Sequence, residues 1–296
     1  MKKFIPKGTI TAIITPFKQD LSIDFDAFER LINFQIESKV DGIVVCGTTG
    51  ESATLSHKER IALIIKAIET ANGRIPIIAG TGTNDTKATI DLSIIAKEEG
   101  ADAILLVAPY YNKPTQAGLF QHFLTISEQV DIPQIIYNVP GRTGVNISAE
   151  TQIQIAKSCK NVVATKEASG NFDQIMKIIA NVPKEFSVLS GDDATTLPLI
   201  AAGAKGIVSV FSNYAPKELV KLVNAAIDGD FATARKLHYK FLNLMNLSFI
   251  ESNPVPAKSI LSLMGLIEGY VRLPLVPLSK DSLDTIHKEL KKLKFI

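Results

Sequence analysis

The sequence predicts a closed (β/α)8 barrel of the TIM type, in the α/β class, with a helical extension at its C-terminal end. Short apolar runs rich in Val and Ile alternate with longer amphipathic helical stretches, the pattern of a parallel sheet covered by helices. Eight such runs occur before residue 210, the number that closes a barrel. A related helix-to-strand junction recurs at Val40-Asp41-Gly42-Ile43, Gly100-Ala101-Asp102-Ala103 and Gly203-Ala204-Lys205-Gly206. An open, doubly wound sheet is the competing arrangement for the same alternation.

In chain order the expected strands are Thr9–Ile14, Gly42–Cys46, Ile75–Ala79, Ala103–Val107, Gln134–Tyr137, Val162–Lys166, Ser187–Ser190 and Gly206–Ser209. Each is short, apolar and flanked by residues that favour turns. The helices between them include Asp26–Ser38, His57–Ala71, Thr86–Glu99, Ser148–Ser158 and Thr195–Ala202. Ser56 and Glu59 have the spacing of a capping box, which starts the second of these. Gly80-Thr81-Gly82-Thr83-Asn84 fits neither the dinucleotide nor the P-loop spacing and reads as a strand-to-helix turn. Residues after the eighth strand, Phe231–Glu251 among them, are mostly helical and exceed the one helix that closure still needs. The expected division is a barrel over residues 1–225 and a helical extension over 226–296.

Composition narrows the function. With 296 residues and 46% hydrophobic content, one large core is affordable. The 32 basic and 30 acidic residues leave a charge of +2, and the one basic run, Lys288–Lys294, reads as a solvated helix end. No nucleic-acid partner is expected. No apolar stretch is long enough to span a bilayer. The start of the chain, Met1 to Gly8, lacks an apolar signal core, so no signal peptide is expected. Cys46 and Cys159 show no CxxC or metal spacing, which suits reduced thiols in the cytoplasm. His57, His122, His238 and His287 all fall in helical stretches far from the strand ends. Neither a metal site nor a bound cofactor is therefore expected.

In such a barrel chemistry gathers at the C-terminal ends of the strands. Lys166 ends the sixth strand, Val162-Val163-Ala164-Thr165-Lys166. Most lysines sit on solvated helix faces. One that ends a buried strand either pairs with a carboxylate or acts as a nucleophile. The second strand leads into Gly47-Thr48-Thr49-Gly50-Glu51-Ser52, the fourth into Pro109-Tyr110-Tyr111-Asn112, and the fifth ends on Tyr137 before Asn138-Val139-Pro140-Gly141-Arg142-Thr143. Gly191-Asp192-Asp193 follows the seventh strand and Val208 lies at the end of the eighth. Each has a plainer explanation: a tight turn for the threonines, packing for Tyr137, a surface charge for Arg142, and capping of the next helix for Asp192 and Asp193. Their meeting on one rim favours chemistry.

A Schiff base fits this set. An amine must be neutral to attack a ketone, and an ordinary lysine is neutral in fewer than about one in a thousand copies at pH 7. Burial disfavours an ammonium. Phenol and threonine hydroxyls can relay the protons of carbinolamine formation and dehydration. Arg142 offers a planar fork for a carboxylate, and the backbone amides at Thr48 and Thr49 can hold a second one. One amine and two carboxylate sites point to a small keto acid and an acidic partner.

At Gly-Thr-Thr-Gly-Glu (47–51), Tyr-Tyr-Asn-Lys-Pro (110–114), Tyr-Asn-Val-Pro-Gly-Arg-Thr (137–143) and Lys-Glu-Ala-Ser-Gly (166–170), the chain resembles the lysine-dependent pyruvate aldolase family. The resemblance extends over residues 5 to 290. It implies that Lys166 forms an imine with pyruvate and that Tyr137 donates and accepts protons beside it. Thr49 and Tyr111 would complete a relay, Tyr111 crossing from a neighbouring subunit of a homodimer or homotetramer. Thr48 and Thr49 would bind the pyruvate carboxylate, Arg142 that of L-aspartate 4-semialdehyde, and Gly191 and Val208 would offer backbone contacts. The product would be 4-hydroxy-tetrahydrodipicolinate, at the entry to diaminopimelate and lysine synthesis. Sialic-acid lyases and keto-deoxy-sugar aldolases share the barrel and lysine but carry a non-arginine loop after the tyrosine. A catalytically silent barrel that binds a keto acid would lack a relay residue, and none is missing here. Ser52, Ala53, His57, Asn84 and Tyr110 match the family's lysine-inhibition site, whereas Arg60 and Ala88 stand where inhibited forms carry histidine and glutamate. Weak or absent inhibition by lysine follows.

Overall fold

The computed structural model describes residues 4–296. Its eight strands are β1 (Gly8–Ala12), β2 (Gly42–Val45), β3 (Ile77–Gly80), β4 (Ala103–Val107), β5 (Gln134–Asn138), β6 (Val162–Glu167), β7 (Ser187–Ser190) and β8 (Gly206–Ser209). All neighbours pair in parallel, and β8 returns to β1 to close the barrel. Between them run α1 (Phe25–Glu37), α2 (His57–Ala71), α3 (Thr86–Glu98), α4 (Gln116–Gln129), a single turn α5 (Pro140–Thr143), α6 (Ala149–Ser158), α7 (Phe172–Asn181) and α8 (Thr196–Ala201). After β8 come α9 (Pro216–Ile227), α10 (Phe231–Leu247), α11 (Val255–Leu263) and α12 (Lys280–Leu293). The closed barrel with extra C-terminal helices is the architecture the sequence pattern predicts.

Strand boundaries shift from expectation for local reasons. β1 stops at Ala12 because the Ile14 amide is taken by Asn213 Oδ1 (3.0 Å) instead of continuing a ladder. Cys46 adopts a left-handed φ of +57°, which ends β2 at Val45. Pro76 has no N–H to give, so β3 begins after it, although the Pro76 carbonyl still accepts from the Ile43 amide (3.0 Å). Helix starts are better determined. Ser56 accepts from the Glu59 amide while the Glu59 side chain accepts from the Ser56 amide, completing the capping box. The Pro140–Thr143 turn was expected as loop; proline at its start and Gly144 at φ +72° beyond its end explain one turn of helix.

Two apolar layers form the core. Ile10, Val44, Ile78, Leu105, Leu189 and Val208 fill the barrel interior. The opposite strand faces pack with Phe28, Leu31, Leu63, Phe123 and Ile178 of the surrounding helices. Period-two alternation makes this possible: Ile10 points in, while Thr11 points out and donates to Gln35 of α1 (2.8 Å). The C-terminal helices pack as a group: α10 lies on α9, and α12 on both α10 and α11. Among the described residues, no helix is long and apolar enough to cross a membrane.

Candidate active site

A bulge in β6 aims the lysine inward. Gln134 pairs with Val162, yet the next residue of β5, Ile135, pairs with Ala164. Val163 is therefore an inserted residue, and both Val163 and Ala164 belong to the interior cluster. Alternation resumes beyond it. Thr165 and Glu167 turn outward to bond Gln152 of α6, and Lys166 turns into the barrel. Had the phase of Val163 continued, Lys166 would face the helices instead. No feature of Val-Val-Ala-Thr-Lys announced this extra residue.

Lys166 and Tyr137 occupy the same register level, each 5% exposed. The amine lies 4.1 Å from the centroid of the Tyr137 ring. Gly191 leaves room for it: a Cβ there would sit 2.6 Å from Ala168 Cβ and 3.2 Å from Lys166 Cε. Its amide is also bonded to the Glu167 carbonyl (2.8 Å), which fixes the β7 end against β6. Among the described residues Lys166 forms no salt bridge, so the pairing alternative raised by its burial is not realised there.

One rung further along, Asn138 and Glu167 are also paired. The buried Glu167 carboxylate accepts from Asn138 Nδ2 (3.1 Å), Gln152 Nε2 (2.7 Å), Gln174 Nε2 (3.2 Å) and the Ser169 amide (2.8 Å). A buried carboxylate requires such donors, and here they tie β5, β6, α6 and α7 into one frame beside the Tyr137–Lys166 rung. The three side-chain amide donors lie on three different elements, β5, α6 and α7, which is why this network escaped the sequence reading.

Gly47–Glu51 forms a tight turn, with the Gly50 amide bonded to the Gly47 carbonyl (3.1 Å) and Glu51 at φ +54°. Thr49 is buried, and its Oγ1 accepts from Asn253 Nδ2 (3.1 Å). Thr48 and Tyr137 line a small cavity of about 30 Å³ at the barrel mouth. A larger cavity of about 310 Å³ is lined by Thr48, Tyr110, Val139, Arg142 and Asn253, among others. The exposed Arg142 leans on the rim, its Nη2 donating to the Asn253 carbonyl (3.4 Å). Val208 is fully buried in the interior cluster. Tyr111 stands apart: it is 89% exposed at φ +71° and lines neither cavity.

The aspartates correct one expectation. Asp192 Oδ1 accepts from the Thr195 amide (3.1 Å), just ahead of α8. The Asp193 side chain does not cap α8. It accepts from Ser209 Oγ (2.5 Å) and from the Val210 (3.1 Å) and Phe211 (3.0 Å) amides, and so fastens the turn after β8. Burial pushes its carboxyl up to about 6 against those hydrogen bonds. Adjacent residues of a turn point to different places, and only the tertiary fold brings Ser209 to Asp193.

Neither cysteine sits in a reactive environment. Burial pushes the Cys46 thiol up to about 12 and the Cys159 thiol up to about 11. His122 is buried in α4, its Nδ1 2.9 Å from Thr86 Oγ1, and burial pulls its pKa down to about 4. Among the described residues, no group of three or more His, Cys, Asp or Glu side chains is placed to hold a metal ion.

A family model of the dihydrodipicolinate synthetase family matches residues 5–293. The chain belongs to that family. The 4-hydroxy-tetrahydrodipicolinate synthase of Koribacter versatilis is 51% identical over 95% of this chain and 94% of its own length. The dihydrodipicolinate synthase of Acinetobacter baumannii, solved in complex with pyruvate, is 45% identical, with a TM-score of 0.96 over 98% of this chain and 99% of that one. A monomeric dihydrodipicolinate synthase variant is 44% identical, with a TM-score of 0.96 over 98% and 97%. Family membership thus takes in both the barrel and the C-terminal helices that reach its rim.

Proposed function

We propose that this chain is a carbon–oxygen lyase that condenses pyruvate with L-aspartate 4-semialdehyde through an imine on Lys166. The amine attacks the pyruvate C2 carbonyl, and the carbinolamine loses water. Loss of a C3 proton gives an enamine, whose C3 bonds to the aldehyde carbon. The amino group of the second substrate then attacks C2 and displaces the Lys166 amine, releasing 4-hydroxy-tetrahydrodipicolinate. Such a product feeds diaminopimelate and lysine synthesis. The chemistry needs no cofactor.

The observation that carries this reading is the inward Lys166 amine beside Tyr137, with no carboxylate among the described residues to hold it as an ion pair. In this reading Tyr137 exchanges protons with the forming imine, and Thr49 continues the relay. Thr48 and Thr49 take the pyruvate carboxylate, while Gly191 and Val208 shape the wall and give backbone contacts. Arg142, which lines the cavity of about 310 Å³ together with Thr48, takes the carboxylate of the aldehyde, which favours an acidic partner over a polyol. The exposure of Tyr111 supports its acting on the site of a neighbouring subunit, in a homodimer or homotetramer. Arg60, bonded to the Ser52 carbonyl (2.6 Å), supports weak or absent lysine inhibition. Half-inhibition by lysine below about 1 mM, near −4 kcal/mol of binding, would overturn that part. The proposed barrel and extension, 1–225 and 226–296, meet within α9, and two unpaired buried thiols suit a cytoplasmic setting.

Borohydride reduction with pyruvate, followed by intact mass and peptide mapping, tests the reading. The expected result is a reduced pyruvyl adduct on Lys166. Folded protein that yields no adduct would remove the imine mechanism and favour a barrel that merely binds a keto acid.

A further inference from the structure

The Thr49 hydroxyl is held from outside the barrel. Asn253, 204 positions further along the chain, donates from Nδ2 to Thr49 Oγ1 (3.1 Å). Both residues are buried, at 5% and 3% exposure. The main-chain carbonyl of Asn253 accepts from Arg142 Nη2 (3.4 Å), so one residue touches both proposed carboxylate-binding groups. Its Oδ1 is buried without a protein partner among the described residues, in a side chain that lines the 310 Å³ cavity.

A hydroxyl has one proton to give and two lone pairs. An amide N–H pointed at Thr49 Oγ1 occupies one lone pair and leaves the proton free to point elsewhere. A carboxylate in the same place would draw that proton to itself. We propose that Asn253 is a positioning residue: by donating to Thr49 Oγ1 it keeps the Thr49 hydroxyl a donor toward the keto acid. The inference rests on the reading of Thr49 given above. It also assigns the segment after α10 a part in the reaction, although it lies outside the barrel strands.

Steady-state kinetics on folded variants, checked by circular dichroism and melting temperature, provide the test. Asn253→Ala is expected to lower kcat/KM for pyruvate about tenfold, the worth of one hydrogen bond to a hydroxyl. KM for the aldehyde should stay within about twofold, because the main-chain carbonyl facing Arg142 survives the substitution. Asn253→Asp keeps the shape but reverses the polarity. At neutral pH it should be no better than Asn253→Ala, and it should recover relative to wild type as falling pH protonates the new carboxyl into a donor. The double variant Thr49→Val/Asn253→Ala should be no worse than Thr49→Val alone. Should Asn253→Ala fail to fold, Asn253→Ser supplies a shorter side chain for the same comparison.

Three outcomes overturn the proposal. One is impaired Thr49→Val beside an unimpaired Asn253→Ala. Another is an equal loss toward both substrates, which marks general distortion. The third is Asn253→Asp outperforming Asn253→Ala with a flat pH ratio, which marks packing. Full activity in Thr49→Val would be distinguishable from all three, since it removes the reading of Thr49 itself.

Discussion

Among the described residues two lysines are buried, and their surroundings differ in counter-charge. Lys258, on α11, is completely buried and paired with the Glu51 carboxylate. It also donates to the Tyr270 carbonyl (2.7 Å) and lies 4.0 Å from the centroid of the Phe17 ring. Lys166 also lies over an aromatic ring but has no carboxylate partner among the described residues. Burial is common to both; the counter-charge is not. A fixed carboxylate commits an ammonium to structure, and an amine with no counter-charge is open to reaction with a carbonyl. Glu51 belongs to the same turn as Thr48 and Thr49, so the structural lysine pins the loop proposed to serve Lys166. Arg272 reinforces it, its amide donating to Glu51 (3.1 Å) and its guanidinium lying 4.4 Å from the Phe17 ring centroid.

The strongest challenge to this contrast is to remove each amine in turn. Lys166→Ala should cost at least about a thousandfold in kcat while leaving the melting temperature within a few degrees, because the proposed nucleophile is lost but no ion pair is broken. A large drop in melting temperature would show that Lys166 also holds the fold. Lys258→Met should do the reverse. It leaves the Glu51 carboxylate buried and uncompensated, at a cost of about 3–5 kcal/mol, and should lower the melting temperature by about 10 °C. The double variant Glu51→Gln/Lys258→Met should recover most of that loss; a double variant as unstable as the single one would count against the pair.

Space around the Lys166 amine gives a finer probe. In Gly191→Ala the new methyl would meet Ala168 and the Lys166 stem, and turnover should fall about tenfold with imine formation slowed. Wild-type rates of borohydride trapping in that variant would show that the stem can yield without losing its aim.

The smallest expected effect is a slope with pH. Burial holds the Lys258 amine down to about 8, against the pull of Glu51. Its ordinary value is 10.5, so between those two pH values the unfolded chain binds this proton more strongly than the folded one. The contribution of the group to stability is therefore lowest below pH 8 and rises as pH climbs from 8 to 10.5. Denaturant unfolding of wild type against Glu51→Gln/Lys258→Met across that window should show the difference moving in favour of wild type. A flat or falling difference would mean that the pair keeps its proton throughout.

How far the site was legible follows from the range of each interaction. Lys166, Tyr137 and Val208 lie one residue before the C-terminal ends of their strands, and Thr48, Thr49, Arg142 and Gly191 lie past theirs, where chain order and barrel geometry place them without contact information. The helix beginning at His57 was readable because its cap lies within four residues. By contrast, nothing in the local sequence singles out Lys258 or Asn253. Their partners, Glu51 and Thr49, are more than 200 positions away. The Asp193 attachment to Ser209 is likewise a meeting of two separate strand ends.

The sequence by itself determined the barrel, the rim and the lysine at the end of the sixth strand, since periodicity and turn chemistry act over a few residues. Only the tertiary structure decided that β6 carries an inserted residue that turns Lys166 inward. It alone paired Lys258 with Glu51 and brought Asn253 from the C-terminal segment onto Thr49. Those outcomes depend on register and on contacts between distant segments, which a pattern along one strand does not encode.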